Sequence, residues 1–121
     1  MSLHHIALRS IDLRAAEAFW TSLFDLRAVR RDGARAVWLD LGGAVLMLER
    51  AEEGEPAPPA GGMDFFALRV DAAGREGFRA RCAALGVPIE RETDYTTYVR
   101  DPEGRRVGVS AFDLDAAVSA R

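Results

Sequence analysis

Apolar and alternating runs divide the chain into two halves with the same order of predicted elements. The first half opens on HHIALR and the second on DFFALR, 60 positions later, and both runs are typical of short buried strands. An aspartate at a helix-capping position follows each run, Asp12 in the first half and Asp71 in the second. Apolar residues then recur at helical spacing, and the second such stretch ends at Gly86.

Three strand-like runs follow each predicted helix. They cover residues 27–31, 34–41 and 43–50 in the first half, and residues 88–93, 95–100 and 105–112 in the second. Each half is therefore predicted to be a βαβββ module. Because one helix does not cover both faces of a four-stranded sheet, we expect the two halves to pack together.

A segment rich in proline, glycine and glutamate separates the halves. Residues 51–62 read AEEGEPAPPAGG, a composition that does not support a packed helix or strand. We predict a single domain over residues 1–121. Its predicted parts are a first module (1–50), a linker (51–62), a second module (63–112) and a C-terminal tail (113–121).

Composition excludes several classes of function. All 16 basic residues are arginine, and lysine, asparagine and glutamine are absent, as in proteins from GC-rich bacterial genomes. This rules out a Schiff-base or P-loop lysine. A net charge of -3 without a basic stripe argues against nucleic-acid binding. No apolar run approaches a membrane span of about 20 residues, and no signal-peptide pattern is present, so we predict a cytoplasmic protein.

Cysteine and histidine are scarce. The single cysteine, Cys82, excludes an internal disulfide and a cysteine-rich zinc site, and its place on an apolar helix stripe predicts a small core residue. The two histidines are adjacent, at His4 and His5. Successive residues of a strand point to opposite faces, so His4 is not expected to join His5 in a site.

The repeated βαβββ order and two longer segments carry a resemblance to a known family. The opening LHHIALRSIDLRAAEAFW and the closing VRDPEGRRVGVSAF resemble the vicinal oxygen chelate superfamily. That family includes glyoxalase I, extradiol dioxygenases, methylmalonyl-CoA epimerase, and the bleomycin and fosfomycin resistance proteins. The resemblance extends from residue 3 to about residue 112. It implies an α+β fold in which the mixed sheets of two βαβββ modules curl into a cup, and it implies a homodimer.

The resemblance also implies four strand positions that hold a metal ion in metal-using members. In this sequence they fall on His5, Met47, Phe65 and Gly108. Only His5 offers a donor suited to a hard divalent ion. Glu49 shares the face of Met47 and is a displaced carboxylate ligand at best, which gives two ligands where catalytic sites use three. We therefore predict no cofactor and no metal site, and keep a divalent metal on His5 and Glu49 as the alternative.

Period-two alternation from His5 assigns the wall of the implied cup. The predicted ligand-binding residues are His5, Trp38, Met47, Glu49, Phe65, Arg69, Tyr95, Thr97, Arg106 and Ser110. A shift of one residue on strand 95–100 would replace Tyr95, Thr97 and Val99 by Thr96, Tyr98 and Arg100. Such a wall is typical of pockets for small organic molecules, and arginine would bind any anionic group.

Several of the candidate side chains have a second interpretation. Trp38, Met47 and Phe65 are equally typical of residues that simply fill a cup. Arg9 and Arg69 fit exposed charges at strand ends, and Glu49 fits a solvated carboxylate beside the linker. A lone strand histidine such as His5 is often a hydrogen-bonded structural residue.

Three functions remain open from the sequence. The first is a small-molecule-binding protein that holds an organic ligand in the cup without a metal. The second is a metal-assisted enzyme of the isomerase, lyase or dioxygenase type, in which His5 and Glu49 hold an ion or act as an acid–base pair, for which they must lie within hydrogen-bond reach. The third is a non-catalytic interaction module with a filled cup.

Overall fold

The computed structural model describes residues 1–58 and 62–115. Residues 59–61 of the predicted linker and residues 116–121 of the predicted tail lie outside the described residues. In chain order the elements are β1 (His5–Ser10), α1 (Leu13–Ser22), β2 (Ala28–Asp32), β3 (Ala36–Asp40), β4 (Val45–Arg50), β5 (Phe66–Arg69), α2 (Ala72–Leu85), β6 (Arg91–Glu92), β7 (Thr96–Arg100) and β8 (Arg106–Ser110). The predicted order of two βαβββ modules is confirmed.

The two sheets have equivalent topologies. The strand order is β1-β4-β3-β2 in the first sheet and β5-β8-β7-β6 in the second. In each sheet the first strand of the module runs parallel to the last, and the other neighbours are antiparallel. Both sheets are therefore mixed, as the resemblance implies, and the internal repeat extends to strand pairing.

The chain forms two compact units that correspond to the modules with one exchange. The first contains β1 to β4, α1 and the turn Asp101–Gly104, and the second contains β5 to β8 and α2. Within the described residues, no helix is long and apolar enough to cross a membrane.

The helix ends follow the predicted capping chemistry. Asp12 Oδ1 accepts a hydrogen bond from the Ala15 N–H at 3.1 Å, and Asp71 Oδ1 accepts one from the Gly74 N–H at 2.7 Å. Each aspartate thus satisfies an N–H that has no partner inside its helix. At the end of α2, Gly86 has φ +69°, a conformation in which a Cβ atom would be strained.

Each helix covers one face of its own sheet. The α1 helix packs on β3 and β4 and buries Trp20, whose ring lies 4.4 Å from that of Phe24. The α2 helix packs on β8 and buries Phe78 and Cys82. Burial raises the pKa of the Cys82 thiol, so the thiolate is disfavoured. The prediction that Cys82 is a core residue is confirmed.

Candidate functional site

The open face of the first sheet, opposite α1, carries the side chains predicted for that half of the wall. In β1 and β4 the helix-side residues Leu8, Leu46 and Leu48 are buried. The alternating positions form cross-strand pairs on the other face: His5 with Val45, Ala7 with Met47, and Arg9 with Glu49. Trp38 lies opposite Met47, and Ala36 lies opposite Glu49. The alternation of these strands is as predicted.

A cleft of about 520 Å³ opens on this face. Trp38 and Met47 supply its large apolar surfaces, and charged side chains surround them. The lining residues are Arg9, Asp32, Arg35, Ala36, Trp38, Met47, Glu49, Arg50, Ala51, Glu52 and Glu53. The cleft thus combines an apolar floor with carboxylates and guanidiniums at its edge.

Arg9 lies within 4 Å of three carboxylates at one edge of the cleft. Its guanidinium lies 3.9 Å from Glu49, 3.8 Å from Glu52 and 3.3 Å from Glu55. Glu55 Oε2 also accepts the Glu52 N–H at 2.9 Å, so this part of the predicted linker forms a turn beside the sheet. One guanidinium against three carboxylates leaves this edge with a surplus of negative charge.

The Trp38 ring also contacts a cation. The guanidinium carbon of Arg30 lies 5.0 Å from the centre of the indole, a distance at which the ring quadrupole attracts a positive charge. Arg30 and Trp38 are cross-strand partners in β2 and β3. The indole of Trp38 therefore forms part of the apolar floor and also contacts a charged side chain.

The strand register does not favour the acid–base pair of His5 and Glu49 that the sequence leaves open as an alternative. His5 lies beside Val45, whereas Glu49 lies beside Arg9, so four residues of strand separate them. That is about 13 Å along the sheet, beyond direct hydrogen-bond reach. Cross-strand register, which the sequence does not specify here, sets this separation.

His5 instead contacts His4. Their Nδ1 atoms lie 2.8 Å apart, so one imidazole donates to the other, and the rings meet edge to face at 5.1 Å. The expectation that His4 points away from His5 is wrong, because His4 precedes β1 and strand alternation does not apply to it.

The open face of the second sheet, opposite α2, differs from the prediction in β7. Thr96 pairs with Ser110 and Tyr98 with Gly108. The placement of Thr97 on the open face is therefore wrong. Thr97 is fully buried on the helix side, where Arg75 Nε donates to its hydroxyl at 3.0 Å. The one-residue shift weighed from the sequence is the register that forms.

Tyr95 lies just outside the strand that was predicted to contain it. It precedes β7 and is half exposed. Its ring packs edge-on against Phe112 at 5.2 Å. Tyr98 takes the position on the open face that the prediction gave to its neighbours, because Thr97 and Val99 are buried on the helix side.

On this face Phe65 contacts both Tyr98 and Arg106. Phe65 meets Tyr98 edge to face at 5.3 Å, and the Arg106 guanidinium lies 5.6 Å from the centre of the Phe65 ring. Glu90 accepts a hydrogen bond from Arg106 Nε at 2.8 Å and pairs with Arg100. The hydrogen bond from Arg100, together with that from Arg106, holds the pKa of Glu90 below its usual range. Glu90 therefore stays ionised beside both guanidiniums.

The residues at the four positions implied for a metal do not fit a metal ion. Phe65 and Gly108 have no ligand atom, and Met47 has only a soft thioether. A Cβ atom at Gly108 would lie 2.2 Å from the Thr97 carbonyl oxygen, so β7 blocks any side chain there. Within residues 1–58 and 62–115, no group of three or more His, Cys, Asp or Glu side chains is placed to hold a metal.

Several charged residues of these faces were not predicted from the sequence. Asp32, Arg35, Glu52 and Glu53 line the first cleft because the sheet edge and the following turn bring them there. Arg30 contacts Trp38 through a register that includes an irregularity between Ala28 and Arg30. Only the turn residues after β4 carry a sequence signal, the run of glutamates and Gly54.

The chain matches a known protein family over most of its length. The model of the Glyoxalase/Bleomycin resistance protein/Dioxygenase superfamily matches residues 2–109. A comparison with curated protein sequences gives no match. Among solved structures, lactoylglutathione lyase from Agrobacterium tumefaciens is 30% identical, with a TM-score of 0.71 over 90% of this chain and 92% of that one.

Two further structures show the same fold at lower identity. The fosfomycin resistance protein FosX from Listeria monocytogenes is 16% identical, with a TM-score of 0.76 over 99% of this chain and 98% of that one. A possible glyoxalase from Bacillus cereus is 23% identical, with a TM-score of 0.74 over 91% of this chain and 98% of that one. A variant of the Listeria protein was crystallised with Mn(II) and a dihydroxypropylphosphonic acid.

Proposed function

Since the chain belongs to the Glyoxalase/Bleomycin resistance protein/Dioxygenase superfamily, we propose that it binds a small organic molecule without a resident metal ion. The observation that carries the proposal is the cleft of about 520 Å³ over Trp38 and Met47 on the open face of the first sheet. Ligand pockets of about 300–1,000 Å³ that combine apolar walls with a few polar groups are usual for small molecules. The cleft has that size, and its apolar floor of Trp38 and Met47 is surrounded by more charged side chains than such pockets usually carry.

The chemistry of the lining favours a ligand with a flat apolar body and polar substituents. Indole and thioether surfaces gain most from contact with aromatic or conjugated groups. Arg35 and Arg50 can bind an anionic substituent, whereas Asp32, Glu52 and Glu53 can bind a cationic or hydroxyl group. The surplus of carboxylates around Arg9 favours a positive or hydrogen-bond-donating group at that edge.

Binding without a metal is favoured by the residues that replace the implied ligands. Phe65 packs against Tyr98, and the Gly108 position has no room for a side chain. The enzyme hypothesis based on His5 and Glu49 has less support, because about 13 Å of strand separates them. Homodimerisation and a cytoplasmic location stay predictions from the sequence.

Ligand screening with a matched pair of variants tests the proposal. We expect thiol conjugates, aromatic diols or antibiotics to include a compound that raises the melting temperature of the wild-type protein, because a ligand of the native state stabilises it. Trp38→Ala should weaken that compound about tenfold, and Trp38→Phe should retain most of the affinity. Ile11→Ala, which removes an exposed side chain outside the cleft, is the control.

Two results would contradict the proposal. One is a compound that binds the wild-type protein and the Trp38→Ala variant equally, provided that both unfold cooperatively. The other is a full screen in which no compound stabilises the wild-type chain.

A further inference from the structure

The second module has a pocket of its own, and we propose that it binds small carboxylates with an apolar body. In the structure the carboxylate of Asp115 is hydrogen-bonded to Arg69, and we expect the carboxylate of the ligand to take its place. This pocket lies on a different sheet from the cleft over Trp38, so the inference does not depend on the function proposed for that cleft.

The pocket has a volume of about 210 Å³ and a largely apolar surface. Its lining residues are Ala67, Arg69, Ser110, Phe112 and Leu114. Ala67 lies beside Gly108 in the sheet, so neither residue adds a bulky side chain to the floor, and the Tyr98 ring borders it over Gly108. Phe112 and Leu114, both partly exposed, supply the apolar wall. A cavity of about 150 Å³ is known to hold benzene, so this pocket has room for one ring or a short alkyl chain.

Arg69 provides the anion-binding group. Its Nη1 donates to Asp115 Oδ2 at 3.2 Å. A guanidinium carries five N–H donors, and those of Arg69 make no other hydrogen bond within residues 1–58 and 62–115. The side chain can therefore form the two parallel hydrogen bonds by which arginine recognises a carboxylate.

Ser110 adds a second polar contact. Its Oγ accepts hydrogen bonds from the Thr96 hydroxyl at 2.7 Å and from the Phe112 N–H at 3.3 Å. Either hydroxyl of the Thr96–Ser110 pair can be the donor, and when Thr96 donates, the hydroxyl hydrogen of Ser110 is available to a ligand oxygen. Ser110 is the cross-strand partner of Arg69, so the two donors lie side by side.

Asp115 combines the same two features as the proposed ligand. Asp115 directly follows Leu114, which lines the pocket. An apolar side chain and a carboxylate therefore lie together beside Arg69, although 46 positions separate Arg69 from Asp115 in the chain. The side chains of Arg69 and Asp115 are 61% and 82% exposed. An ion pair this exposed contributes little to stability, so a ligand carboxylate displaces it at small cost.

A titration of the full-length protein with benzoate tests the inference, and benzamide is the uncharged control of nearly the same shape. Amide chemical shifts around Ala67, Arg69 and Ser110 should change with benzoate and change much less with benzamide. Asp115→Asn should raise the affinity for benzoate about two- to fivefold, because it removes the internal competitor. Arg69→Gln should lower it about tenfold and abolish the preference over benzamide.

The variant Arg14→Gln removes the same charge from an exposed position on α1 and should leave benzoate binding unchanged. Equal binding of benzoate and benzamide would overturn the inference. So would an unchanged benzoate affinity in Asp115→Asn, or shift changes confined to residues around Trp38. Trp38 does not line this pocket, so Trp38→Ala should leave benzoate binding unchanged. The two proposals can therefore fail independently of each other.

Discussion

At Gly108 the backbone of β8 comes so close to β7 that a Cβ atom would lie 2.2 Å from the Thr97 carbonyl oxygen and 2.9 Å from Tyr98 Cδ1. The nearest obstacle is backbone, which cannot move without breaking the pairing between the two strands. Glycine at this position therefore allows β7 and β8 to pair closely. The same close approach leaves no room for a metal-ligand side chain at a position where the family resemblance implies one.

Gly108→Ala should destabilise the protein by about 1–3 kcal/mol, because the added methyl group overpacks the sheet. The control is Gly77→Ala in α2, where a Cβ atom meets only the flexible end of Arg81 at 3.3 Å. The control should be neutral or stabilise the helix by up to about 1 kcal/mol. Urea denaturation of both variants measures the difference, and equal midpoints would contradict the prediction.

At the scale of secondary-structure elements, one arginine connects α2 to the turn between β6 and β7. The Arg75 side chain is 11% exposed. It donates to the Thr97 hydroxyl at 3.0 Å and to the carbonyl oxygens of Thr93 at 2.8 Å and Asp94 at 2.6 Å. It also pairs with Glu92 at 2.9 Å. These hydrogen bonds hold the turn against α2.

Arg75→Leu should cost about 1–3 kcal/mol of unfolding free energy, because it removes a donor to the buried Thr97 hydroxyl together with the hydrogen bonds to exposed oxygens of the turn. Arg79→Leu, one turn further along the helix, is the control. Arg79 is more exposed than Arg75 and bonds to Glu92 and Glu76, so its loss should cost less than about 1 kcal/mol. A larger loss for Arg79→Leu than for Arg75→Leu, by thermal or chemical unfolding, would contradict this assignment.

At the scale of the whole molecule, the two modules share a topology but differ in the chemistry of their open faces. The first carries an excess of carboxylates near Arg9, and the second carries the guanidiniums of Arg69, Arg100 and Arg106. The different charges favour different ligands on the two sheets.

Removal of metal ions should leave the stability and the ligand binding of the protein unchanged. Dialysis against EDTA is expected to leave the melting temperature and ligand binding unchanged, and elemental analysis of the dialysed protein should show no stoichiometric zinc, nickel, manganese or iron. The reason is the donor set, in which two of the four implied positions have no ligand atom. Near-stoichiometric metal that survives dialysis, or a large drop in melting temperature, would contradict binding without a resident metal.

Local patterns in the sequence determined the repeated module, the helix caps and the open face of the first sheet. Asp12, Asp71 and Gly86 act through neighbouring backbone groups, so their roles are readable from sequence alone. Alternation along β1 and β4 assigned their faces because leucines mark the helix side of each strand.

Tertiary structure decided which residues meet. In the run YTTYVR from Tyr95 to Arg100, side chains of both parities suit a strand, so burial against α2 selected the register. Pairing of β1 with β4 separated His5 from Glu49. The contact of Asp115 with Arg69, 46 positions apart, follows from no local pattern. Alternation fixes the face of a side chain, whereas cross-strand pairing fixes its neighbours, and pairing depends on the whole fold.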